Sequence, residues 1–211
     1  MTRLIDELVD KLEPAPARPA LAVFGRPLAL AALLPLAAIA LVYGPRPDLG
    51  GAFADMAFWI KLAAPAVVAV AAGLALARLS RPGAPAGPGL VIALAAMAAL
   101  AAAGLASLAA LPAEMRLPAL LGQSWLKCLI SIGAFAIPFL IAGFWALRRM
   151  APVRPRLAGF ALGLVAGALA AGVYSLACSE DALPFIASWY QLGVLGVAAL
   201  AALAAPRITG W

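Results

Sequence analysis

Six long apolar runs, interrupted by Pro, Gly and charge, dominate the chain, at approximately 27–44, 57–77, 88–111, 124–147, 157–178 and 183–205. An α-helix needs about 20 residues to cross the hydrocarbon of a bilayer, and these runs have that reach. Lipid offers the backbone no hydrogen-bond partners, so each run is predicted to be helical and self-satisfied. The pattern therefore predicts an all-α polytopic membrane protein with six transmembrane helices over residues 27–211, preceded by a separate segment, 1–26. Pro35, Pro65 and Pro138 fall within or close to these runs and predict kinks that neighbouring helices can accommodate.

The fifth run carries Gly159, Gly163 and Gly167 at a spacing of four, with Gly172 further on. One helix face thus lacks side chains and admits another helix closely. Packing within the bundle is the first reading of this seam, and a dimer contact the second.

Composition agrees with the membrane reading. Of 211 residues, 66% are hydrophobic and 11% charged, with a mean hydropathy of +1.05. One soluble core could not enclose so much apolar surface. The net charge of +6 would suggest nucleic acid in a soluble protein. No basic run reaches the roughly five to eight residues of such patches, so no direct nucleic-acid partner is expected. The basic residues instead set orientation. With the N-terminus inside, Arg3, Lys11, Arg18, Arg26, Arg78, Arg81, Arg148, Arg149, Arg154, Arg156 and Arg207 are cytoplasmic, against Arg46, Lys61, Arg116 and Lys127 outside. This bias predicts both termini in the cytoplasm. Tyr43, Trp59, Trp125, Trp145, Trp189 and Tyr190 fall near run ends, where amphipathic rings meet the lipid interface. Residues 1–20 mix acids and bases ahead of any apolar run, so they read as a retained segment and not as a signal peptide.

Candidate chemistry is sparse. The absence of histidine removes His-based zinc and haem sites and Ser-His-Asp catalysis. No charged residue lies near the middle of a run, which weakens a transport reading. No enzyme activity and no cofactor are expected. The two cysteines remain: Cys128 opens the fourth run and Cys178 closes the fifth, on the same predicted outer side. Facing an oxidising compartment, they can pair or share a soft metal. The plainer alternative is two small buried apolar residues. Glu180 and Asp181 follow Cys178 and can assist in holding a cation. Lys61 and Lys127 lie a little inside the outer ends of their helices and read first as snorkelling side chains. Lys127 adjoins Cys128, so a second reading has it stabilising a thiolate.

The N-terminal segment is the other candidate site. Leu4, Ile5, Leu8, Val9 and Leu12 recur at helical spacing, backed by Asp6, Glu7, Asp10 and Lys11, and Pro14 ends the pattern. Surface-seeking helices are usually basic on the polar face, and this one is acidic, so a basic protein partner fits it better than lipid.

The stretch 178–211 resembles the end of the NrsF family (negative regulator of sigma F) in Cys178, Glu180, Phe185, Trp189, Tyr190, Gly193, Pro206, Arg207 and Trp211. The segments 58–61 (FWIK), 125–129 (WLKCL) and 147–152 (LRRMAP) are similar to that family's pattern too. The resemblance covers nearly the whole chain. It implies a bacterial inner-membrane anti-sigma factor that holds an extracytoplasmic-function sigma factor inactive. Heavy-metal or oxidative stress, acting through a cysteine pair, releases the partner. Carried onto this chain, Cys128 and Cys178 are that pair, and residues 1–20, with Leu4, Ile5, Asp6, Glu7, Leu8, Val9, Asp10 and Leu12, contact the sigma factor. One departure concerns the metal: Ala177 stands where the family often has His before the second cysteine. A small membrane transporter, or a membrane thiol oxidoreductase working without a Cys-x-x-Cys pair, is the alternative reading of the sequence.

Overall fold

The computed structural model describes residues 21–150 and 152–210, so the N-terminal stripe of Leu4 to Leu12 lies outside the described residues. Among the described residues there is no strand, and six stretches are long and apolar enough to cross a membrane. They are α1 (Ala22–Tyr43), α2 (Met56–Leu79), α3 (Gly89–Ala110), α4 (Ala113–Leu121) with α5 (Trp125–Leu147), α6 (Pro155–Tyr174) and α7 (Leu183–Thr209). The expected six-helix plan is present, and helices α2 and α5 run unbroken through Pro65 and Pro138.

Three boundaries depart from the apolar runs, each for a local reason. The fourth run gains α4, a short helix with no buried residue, in front of it. Gly122 breaks the chain between α4 and α5 at φ 54°, and Arg116 caps the end of α3 by donating to the carbonyls of Ala109 and Leu111. The fifth helix stops at Tyr174, so Cys178 sits in the turn beyond it and not within the helix. The last helix continues through Pro206 to Thr209, whose hydroxyl donates back to the Ala205 carbonyl at 2.8 Å.

Helix α6 is central. Thirteen of its twenty residues are buried, against four of twenty-two in α3, and it packs on α2, α5 and above all α7. Small residues make this possible. A Cβ on Gly163 would stand 2.5 Å from Cα of Ala198, and one on Gly167 3.0 Å from Cα of Val194. The glycine seam is therefore filled by α7 of the same chain, which removes it from any dimer contact. Water cannot drive these helices together within lipid, so close backbone approach and dispersion hold the bundle. Helix α1 lies at the rim, mostly against α5.

Connectivity sorts the loops. Segments 44–55, 111–124 and 175–182 gather at one end, and segments 80–88, 148–150 and 152–154 at the other.

Candidate functional site

The polar groups of the bundle converge at the end that carries segment 175–182. Lys61 is the anchor. It shares the buried face of α2 with Phe58, Pro65 and Val68, at helical spacings of three, four and seven, and is itself 0% exposed. Its ammonium donates to the main-chain carbonyl of Cys178 at 2.6 Å, to that of Glu180 at 2.8 Å, and to Asp181 Oδ1 at 3.2 Å. All three donors are thus used, and the Tyr190 ring lies 5.4 Å away on another side. The snorkelling expectation for Lys61 is corrected: the side chain turns inward because a carboxylate and two unpaired turn carbonyls offer it better partners than headgroups.

Arg46 completes the cluster from the α1–α2 loop. Its guanidinium forks onto both oxygens of Asp48 (2.8 and 2.7 Å) and both of Asp181 (3.1 and 2.6 Å). Its main-chain N–H donates to the Leu176 carbonyl at 3.0 Å. Bidentate geometry of this kind is the strong form of ion pair. Arg46 also holds the Asp48 carboxyl at about 2, below its ordinary 3.8, chiefly through their hydrogen bond. Asp181 is therefore shared between two cations on different elements, and it fixes the turn after Cys178 to both.

Glu180 points the other way. Its Oε1 accepts from the Gln123 main-chain N–H at 2.8 Å and lies 3.4 Å from Ser124 Oγ, so it binds the start of α5. Gly122 is needed beside it, since a Cβ there would meet the Glu180 carboxyl at 2.9 Å and its φ already favours glycine. Trp189 adds a further tie, donating to the Leu120 carbonyl at 2.7 Å and lying tilted against Trp125 with ring centroids 4.9 Å apart.

Both predicted cysteines lie directly under this lid. Each is a free thiol, Cys128 0% and Cys178 4% exposed, within one core cluster that includes Tyr174 and Tyr190. Among the described residues, the buried hydroxyl of Tyr190 has no hydrogen-bond partner. Lys127 is exposed and places its ammonium 5.4 Å from the Tyr43 ring, whose hydroxyl pairs with Ser131 at 3.0 Å.

Among the described residues no group of three or more Cys, Asp or Glu converges as a metal site. Glu180 and Asp181 are committed to backbone and cations, so a metal here would meet the two thiolates without them. Sequence reasoning found the cysteines and the acidic turn but missed the roles of Lys61, Arg46 and Trp189. Nearly every neighbour of Lys61 in α2 is apolar, so helical periodicity could not mark which face is buried.

The fold and this polar lid define a multi-pass, all-helical membrane protein with two enclosed thiols at one end. The family model described as "Negative regulator of sigma F" (NrsF) matches residues 8–211, and the chain belongs to that family. It is 39% identical to the anti-sigma-F factor NrsF of Caulobacter vibrioides (strain NA1000 / CB15N), over 98% of this chain and 99% of that protein. It is also 44% identical to the probable anti-sigma-F factor NrsF of Azospira oryzae over 90 residues, 43% of this chain and 42% of that protein. No solved structure matches the chain.

Proposed function

We propose that this protein is an anti-sigma factor of the bacterial inner membrane. It holds an extracytoplasmic-function sigma factor through residues 1–20 and releases it when Cys128 and Cys178 meet a heavy metal or an oxidant. The role is regulatory and not enzymatic. Family membership supports the sigma-factor partner, and the distribution of Lys and Arg supports a cytoplasmic N-terminus with the thiol end outside.

The observation that carries the sensing half is the Lys61 clamp on the Cys178 carbonyl. It ties the turn bearing one thiol to α2, while Glu180 ties the same turn to the start of α5, where the other thiol sits. Derivatising either thiol adds volume to a close-packed core, which costs about 1–3 kcal/mol if the surroundings stay as they are. Moving the turn relieves that cost by disturbing both ties. The far end of α5 packs on α1, and α1 follows directly from residues 1–20. Allosteric couplings of about 1–3 kcal/mol change affinity roughly 5- to 150-fold, so a cost of this size is enough for release.

The test is transcription from a promoter that depends on the partner sigma factor. Removing residues 1–20 should give constant high transcription. Replacing both cysteines by Ser should leave it low under cadmium or oxidant. Unchanged behaviour of both variants, with the protein still in the membrane, contradicts the proposal.

A further inference from the structure

An apolar cavity of about 1130 Å³ lies between α1 and α5, on the flank away from the central helix. Leu30, Leu34, Ile137 and Ile141 form its walls and are all exposed, so it opens along the side of the bundle where lipid would lie. From Ile137 to the end of α5 at Leu147 the wall rises ten residues, about 15 Å. That is close to the depth of one leaflet of a ~30 Å hydrocarbon core. Each wall carries a base at the same end of the groove: Arg26 in α1, and Arg149 in the turn just after α5 ends at Leu147. Trp145, at that level, carries the Arg149 guanidinium 3.6 Å over its ring, as an interfacial anchor does.

We infer that this groove binds an acidic diacyl phospholipid, its acyl chains between α1 and α5 and its phosphate between Arg26 and Arg149. The depth and the placement of charge favour this occupant. An apolar slot one leaflet deep with cations only at its mouth matches an anionic headgroup above hydrocarbon tails. The chain's own N-terminal segment fits less well, because Asp6, Glu7 and Asp10 would have to enter the membrane interior. The lipid lies in the groove that runs along the α1–α5 contact and so braces the two helices against each other. This site does not depend on the sigma-factor reading, since it rests only on the chain spanning a membrane.

Native mass spectrometry of the full chain, released from detergent with added phosphatidylglycerol or phosphatidylcholine of matched acyl chains, tests the inference. The wild type should retain phosphatidylglycerol about tenfold more. R26Q/R149Q should retain both lipids equally, and R26K/R149K should keep most of the preference. Ile141→Trp, at a residue 66% exposed and outside the core, should lower retention of both lipids by filling the slot. Equal retention of the two lipids by the wild type, or an undiminished preference in R26Q/R149Q, overturns the inference. Lipid retention that appears only after removal of residues 1–20 would give the groove to that segment and equally overturn it.

Discussion

The ammonium of Lys61 donates to the main-chain carbonyl of Cys178 at 2.6 Å, joining positions 117 residues apart in the chain. Burial makes this contact consequential. A cation that is 0% exposed must have its donors met, and every group that meets them belongs to segment 178–181. Any change that moves the segment therefore acts on α2 through a charge that has nowhere else to go.

Replacing Lys61 by Met leaves Asp181 with one cation and two carbonyls without a donor. Removing one partner of a buried pair costs about 3–5 kcal/mol. The native thiols provide the assay, since both are enclosed until the bundle opens. A thiol-reactive fluorophore should label K61M in detergent at a clearly lower temperature than the wild type. Val67→Ala, on the exposed side of the same helix, should change little. Equal midpoints for K61M and the wild type would remove Lys61 from its role as anchor.

The glycine seam makes a matched prediction. Gly163→Ala forces a Cβ onto the backbone of Ala198 and Val197, whereas Gly172→Ala meets nothing within 4 Å. The first should destabilise by about 1–3 kcal/mol, as overpacking does, and the second should be neutral. Unfolding of the two variants in the same detergent separates the outcomes, and a neutral Gly163→Ala contradicts the close α6–α7 approach.

Acid should loosen the loop around Arg46. The Asp48 carboxyl is held at about 2 against an ordinary 3.8. A lowered folded value means the contribution is complete above about pH 4 and is lost as pH falls through about 2. Trp59, which donates to the Phe53 carbonyl in this loop, supplies a fluorescence signal. Thermal midpoints followed this way should fall between pH 4 and 2 more steeply in the wild type than in Asp48→Asn. Parallel curves would show that the pair adds nothing.

Much of this architecture is legible in the sequence because lipid imposes it. Six runs of sufficient length can only be helices, and Gly159, Gly163 and Gly167 announce a close contact by spacing alone. What the sequence hides is which face of a uniformly apolar helix turns inward. Lys61 reads as a surface lysine until Asp181, 120 residues on, is placed beside it. The same limit applies to Arg46, whose partner Asp181 is 135 residues away, and to α4, whose short, exposed stretch has no apolar run to mark it. Cys128 and Cys178 are legible as a pair by rarity. That they lie sealed beneath an ionic lid depends on folded contacts.

The enclosure of the thiols predicts selective access. A bulky charged maleimide should leave the folded wild type unlabelled, while K61M, with its lid loosened, should label at Cys178. Mass spectrometry of peptides from briefly treated protein reads both sites. Rapid labelling of the wild type would contradict the closed arrangement.

We propose that the state of Cys128 and Cys178 governs the grip of the protein on a sigma factor. Quantitative co-purification of the sigma factor with the full chain in detergent, before and after exposure to cadmium or a thiol oxidant, measures this directly. The wild type should lose about tenfold or more of its bound sigma factor on treatment. C128S/C178S should retain all of it, and a chain lacking residues 1–20 should never bind it. A sigma factor released equally from the wild type and from C128S/C178S, or retained by both, would contradict it.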